Sequence, residues 1–131
     1  MALEEPSIDQ WLAEAKQDPQ AAQIGMYLTH NGVVRLTPKA QVREGVEGLG
    51  EVSQVAFSYD KEELAKAVED AKTWPGIFYV RVWLNEGTLG VGDSLMYVLI
   101  GGDIRPHTID ALQKLVGKIK TELVVETEIY A

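Results

Sequence analysis

The residues that could do chemistry cluster late in the chain. Between positions 104 and 121 stand Arg105, Lys114, Lys118 and Lys120 against Asp110 alone, a local balance of +3 in a protein of net charge −8. Guanidinium and ammonium groups gathered this way suit a small anion. The same spacing also suits the outer face and last turn of a helix, where cations meet solvent and macrodipole. Charge alone leaves both readings open. His30 and His107 are the only histidines, and neither has a second histidine at metal-ligand spacing. His107, near an expected helix start, reads as a surface residue. With no cysteine, disulfides, thiolate metal sites and a cysteine nucleophile are excluded. No Gly-x-Ser-x-Gly elbow occurs. Gly45-x-x-Gly48-x-Gly50 does not stand between a strand and a helix, so it is no phosphate-cradling loop.

Composition sets the frame around these residues. A chain of 131 residues, 46% hydrophobic and 24% charged, reads as one soluble domain able to close a core without staples. Its 20 acidic residues outnumber 12 basic ones, which argues against nucleic-acid binding, since that needs cations to displace phosphate counterions. No apolar run approaches the roughly 18 residues of a membrane span, and the acidic N-terminal stretch lacks the pattern of a signal peptide. A cytoplasmic protein is expected. Thirteen of the acids precede residue 71. Pairs such as Glu62-Glu63 and Glu69-Asp70 read as a solvated helix face.

Three helices and about five strands must position the cationic segment. Ser7 with Gln10 marks a capping box for a helix over 8–17, and Asp60 with Glu63 repeats it for 61–74. Pro106 primes a third helix over 109–121, with Leu112, Leu115, Val116 and Ile119 as its core stripe. Apolar strands are expected over 24–36, 52–59, 77–84 and 94–100. His30-Asn31-Gly32 marks either a hairpin or a bulge in one long strand. Residues 37–50 read as a polar, glycine-rich loop, and 89–93 as a turn. In the closing segment Leu123, Val125, Thr127 and Ile129 alternate with glutamates, which predicts the apolar set inside. The order implies an α+β fold with a mostly antiparallel sheet. Trp11, Trp74 and Trp83 sit in or beside apolar stripes and read as core or interface residues.

From residue 24 onward the chain resembles the catalytic, large subunit of molybdopterin synthase. The resemblance rests on collinearity: Gly32-Val33-Val34-Arg35, Tyr59, the helix closing in Trp74-Pro75, Gly87-x-Leu89-x-x-Gly92-Asp93, Arg105 and Lys120-Thr121. It implies an α/β-hammerhead-like fold and a homodimer. It also implies conversion of cyclic pyranopterin monophosphate to molybdopterin, with no permanently bound cofactor. Sulfur would come from a thiocarboxylate at the Gly-Gly C-terminus of a small β-grasp partner, so a cysteine-free chain is compatible. Lys120 would be catalytic, holding the pterin intermediate and moving protons. Arg35 and Arg105 would bind phosphate or carboxylate, with His107 and Lys118 also on the substrate. Gly117 would either let another chain approach or be a tolerated defect.

The chain departs from the family pattern at three places. Ile104 stands where the family has the histidine of a His-Arg pair, Thr127 falls on its second lysine, and Leu84-Asn85 replaces an earlier His-Arg. Losing that one histidine and the second lysine removes two charge-bearing groups from a site that must stabilise anions. The alternative is a non-catalytic relative that binds a partner tail or a small anion.

Overall fold

A computed structural model describes residues 4–131; the first three residues of the acidic N-terminal stretch lie outside it. Local signals start the helices. Ser7 Oγ accepts from Gln10 N at 3.3 Å and opens α1 (Ile8–Ala15), while Asp60 Oδ1 accepts from Glu63 N at 3.0 Å and opens α3 (Lys61–Ala71). Between them lies the six-residue α2 (Lys39–Glu44), stopped by Gly45 in the left-handed region at φ 69°. The last helix, α4 (Arg105–Lys118), carries Pro106 in its first turn and passes into a π turn over Ile119–Leu123. No helix among the described residues is long and apolar enough to cross a membrane.

Six strands form two antiparallel sheets of three. They are β1 (Met26–Val33), β2 (Val52–Tyr59), β3 (Ile77–Leu84), β4 (Gly87–Gly90), β5 (Ser94–Gly102) and β6 (Val124–Tyr130). One sheet has the order β1-β5-β3 and the other β4-β2-β6. Central β5 is buried on both faces, which explains its continuous apolar run. Met96, Val98 and Ile100 join the main core with Ala111, Leu115 and Ile119 from α4 and its turn. On the opposite face Leu99 and Trp83 pack against Trp11 and Ala15 of α1. Arg81 holds α1 from outside, lying 4.6 Å above the Trp11 ring and pairing with Glu14.

The α+β, antiparallel expectation matches this architecture, with differences in detail. A fourth helix, α2, lies in the expected loop; it buries no residue, so no apolar stripe announced it. The expected turn after Gly87 is partly the short strand β4. His30-Asn31-Gly32 stays within one strand, whose register shifts between Gly32 and Val33. The face of β6 is reversed. Val125 and Ile129 are exposed, Val125 at 66%, whereas the Glu126 side chain is only 11% exposed. Pairing shows the same: Glu126 lies opposite buried Phe57, Glu128 opposite buried Val55, and Thr127 opposite Ala56. Buried Ile119 and Leu123 hold the π turn, and the strand's alternation begins only after it. A one-residue phase change moves every side chain to the other face.

Two glycines test this packing. A Cβ on Gly102 would come within 2.2 Å of Oγ1 of fully buried Thr108, whereas one on Gly117 meets nothing within 4 Å. Gly102→Ala should therefore lose about 1–3 kcal/mol in urea unfolding. Gly117→Ala should gain up to about 1 kcal/mol from helix propensity.

Candidate functional site

Lys120 projects from the π turn between the two buried anchors Ile119 and Leu123. Around a narrow gap of about 50 Å³ it meets Arg35 from the end of β1, Lys39 and Arg43 from α2, and Glu126 and Glu128 from β6. Four cations and two carboxylates thus face one small space. Lys39 and Arg43 share a face because they are four residues apart on a helix. Arg35 is oriented by its Nε, which donates to Thr37 O at 3.1 Å.

The charges are unevenly satisfied. Lys39 pairs with Glu126, and its backbone N–H donates to Glu128 Oε2 at 2.9 Å. Among the described residues neither Arg43 nor Lys120 forms an ion pair with a carboxylate. Lys120 keeps a solvent-accessible side chain, yet its pKa is pushed below the ordinary lysine value. Loss of hydration around the ammonium is the main cause, and Arg43 adds to it, as do Lys39 and Arg35 more weakly. Glu126 pulls the other way. Such a gap favours an incoming anion and gives Lys120 a larger share of neutral amine than a fully hydrated lysine has.

Of the residues expected from sequence, Arg35 and Lys120 are brought together. Arg105 stands at the opposite end of α4, roughly 22 Å away along the helix. His107 hydrogen bonds through Nδ1 to Asp103 Oδ1 at 2.7 Å, which lowers the Asp103 pKa. It lines a separate hollow with Trp74 and Lys114, the latter 4.4 Å above the Trp74 ring. Lys118 turns to Asp70 of α3 at 3.6 Å. Ile104 is the exposed N-cap of α4. Thr127 opens onto a wider groove on the other face of β6, with Ala56, Thr88 and Val125.

Sequence reasoning assigned Lys39, Arg43, Glu126 and Glu128 to no site, and it gave His30 no role. The four-residue spacing of Lys39 and Arg43 was an available signal. The inward glutamates had none, because their alternation with apolar residues pointed outward. His30 Nε2 is buried without a hydrogen-bond partner. Among the described residues no three histidine or carboxylate side chains converge to hold a metal ion.

Comparison with known proteins places this geometry. The fold resembles the molybdopterin synthase structure from Staphylococcus aureus with a TM-score of 0.74 at 15% identity, covering 99% of this chain and 89% of that one. It resembles the molybdopterin biosynthesis MoaE protein of Burkholderia ambifaria with a TM-score of 0.70 at 18% identity, covering 98% and 82%. A chain in the complex of subunits 1 and 2 of molybdopterin-converting factor from Helicobacter pylori gives 0.64 at 16% identity, covering 99% and 85%. No curated protein matches the sequence. At these identities the structures speak for the fold alone, and kinship rests on the sequence pattern described as MoaE protein, which matches residues 3–122. That span takes in α1 to α4 together with Arg35, Lys39, Arg43 and Lys120, and the chain belongs to the MoaE protein family.

Proposed function

We propose that this chain acts in molybdenum cofactor biosynthesis as the large subunit of a molybdopterin synthase. It would convert cyclic pyranopterin monophosphate to molybdopterin, taking one sulfur from each of two thiocarboxylated β-grasp partner molecules in turn. The observation that carries this reading is the Lys120 gap: a lysine of lowered pKa ringed by Arg35, Lys39 and Arg43, in a member of the MoaE protein family. The Helicobacter pylori relative, solved as a complex of two subunits, supports a small-subunit partner. Arg35 and Arg43 would fix the partner tail's terminal carboxylate or the substrate phosphate by charge-assisted hydrogen bonds. Lys120 would accept a proton as its neutral amine and return it as ammonium, helped by a pKa already moved toward neutrality. Sulfur comes from the partner, so the chain needs neither a cysteine nor a resident cofactor.

Arg105, His107 and Lys118 lie outside this gap within one chain, and their substrate contacts belong to the proposal only if a homodimer or the bound partner brings them closer. A single cytoplasmic domain is part of the same reading. The inward Glu126 and Glu128, with exposed Ile104 where the family histidine would stand, favour a second reading. In it the chain binds the partner tail or a small anion without performing sulfur transfer.

Two experiments follow. Purified chain mixed with thiocarboxylated partner and the pyranopterin should form dithiolene product, and Lys120→Ala should slow this at least about 100-fold, the usual scale of proton-transfer catalysis. Tail binding by the wild type without product selects the second reading. Heteronuclear NMR of the Lys120 ammonium tests the electrostatics. Glu126→Gln should lower its titration midpoint further, because the carboxylate raises it, and Arg43→Ala should raise it.

A further inference from the structure

Strand β5 carries one residue more than β1 can pair. Gly32 lies opposite Met96, but the next residue, Val33, lies opposite Ser94, so Leu95 is a bulge without a partner on β1. Packing shows the consequence. Leu95 and Met96 are consecutive, yet both enter the main core, whereas a regular strand alternates faces. Leu95 also lines the Lys120 gap, beside Val33, Val34 and Arg35. Two asparagines hold this bulge from opposite sides. From β1, Asn31 Nδ2 donates to Ser94 Oγ at 3.2 Å and to Met96 O at 3.1 Å, and so straddles Leu95. From the end of β3, Asn85 N donates to Leu95 O at 2.9 Å and its Nδ2 to Ser94 O at 3.0 Å. Asn85, one of the departures from the family pattern, does not line the gap; its amide goes to the bulge instead. Ser94 is buried, with its Oγ 3.2 Å from the Tyr97 hydroxyl, which donates to Glu5 Oε2 at 2.8 Å. Past the bulge, Val34 N donates to Asp93 O and Val34 O accepts from Gly92 N, each at 2.9 Å. Arg35 leaves for the gap from that fixed point.

We propose that Asn31 and Asn85 are positioning residues of the Lys120 gap, holding Leu95 as an inward bulge that forms its apolar wall. The bearing of this on function rests on the reading of that gap as an anion site. Without the bulge, Val33 would oppose Leu95. A strand alternates faces, so Leu95 would then turn toward the side of Tyr97 and Ser94 would turn inward. A hydroxyl group would stand where an aliphatic wall now keeps water from Lys120. Arg35, which follows Val33 and Val34, would shift with the register. An amide is suited to the task because its two donors reach both sides of the extra residue at once.

Heteronuclear NMR of the Lys120 ammonium reads the wall directly. In Leu95→Ala its titration midpoint should rise toward that of an ordinary lysine, because water returns to the ammonium. Asn31→Ala and Asn85→Ala should produce the same rise, although neither residue lines the gap. Asn31→Leu, which keeps the side chain's size and ends both donations, should act alike. Sulfate, titrated calorimetrically into the full chain, should bind each asparagine variant at least about fivefold more weakly, within the range over which residues of one network couple. A Lys120 midpoint unmoved in Leu95→Ala, or in the asparagine variants while their amide spectra stay folded, overturns the proposal. Sulfate bound by those variants as tightly as by the wild type overturns it as well. No sulfate binding by the wild type, with the midpoint still raised in the variants, overturns the anion site and leaves the positioning role standing.

Discussion

Strand β5 is pressed between two apolar layers, and this double burial governs where everything else can go. Met96, Val98 and Ile100 are taken by the main core, and Leu99 by the Trp11–Trp83 layer. Neither face can hold an uncompensated charge without a desolvation cost of several kcal/mol. The end of β5 also sets α4 in place. Gly102 admits Thr108 at a distance no side chain would allow, while Asp103 N donates to Gly76 O at 2.8 Å. Once the start of α4 is fixed there, its rigid length delivers Lys120 to the mouth of the other sheet.

The second sheet answers with opposite charge. A chain of net charge −8 gathers four cations around one gap and tempers them with Glu126 and Glu128. The Lys39–Glu126 pair joins a part-exposed lysine to a largely buried glutamate, so its attraction is offset by the cost of desolvating the carboxylate. What it supplies is position. The helix α2 buries no residue of its own, and the Lys39 contacts to β6 hold its cations over Lys120.

Much of this was readable beforehand, for physical reasons that differ by element. Ser7 with Gln10 and Asp60 with Glu63 gave helix starts because a cap is a local bond. The apolar run of β5 identified a strand, while its burial on both faces is seen only in the structure. Arg35 and Lys120 could be paired only through collinearity with the molybdopterin synthase large subunit, since 85 residues separate them. The phase of β6 was not legible, because it depends on how the π turn ends. Nor was α2, which has no apolar stripe to reveal its period. His30 was visible as a histidine, but its burial depends on a register that joins strands far apart in sequence.

The Lys39–Glu126 pair described at the gap also makes Glu126 a resident counterion. Arg43 and Lys120 have no carboxylate partner among the described residues, so the positive field left over at the gap is theirs. Under the proposed reading an incoming anion would meet these two cations without having to displace Glu126 from Lys39.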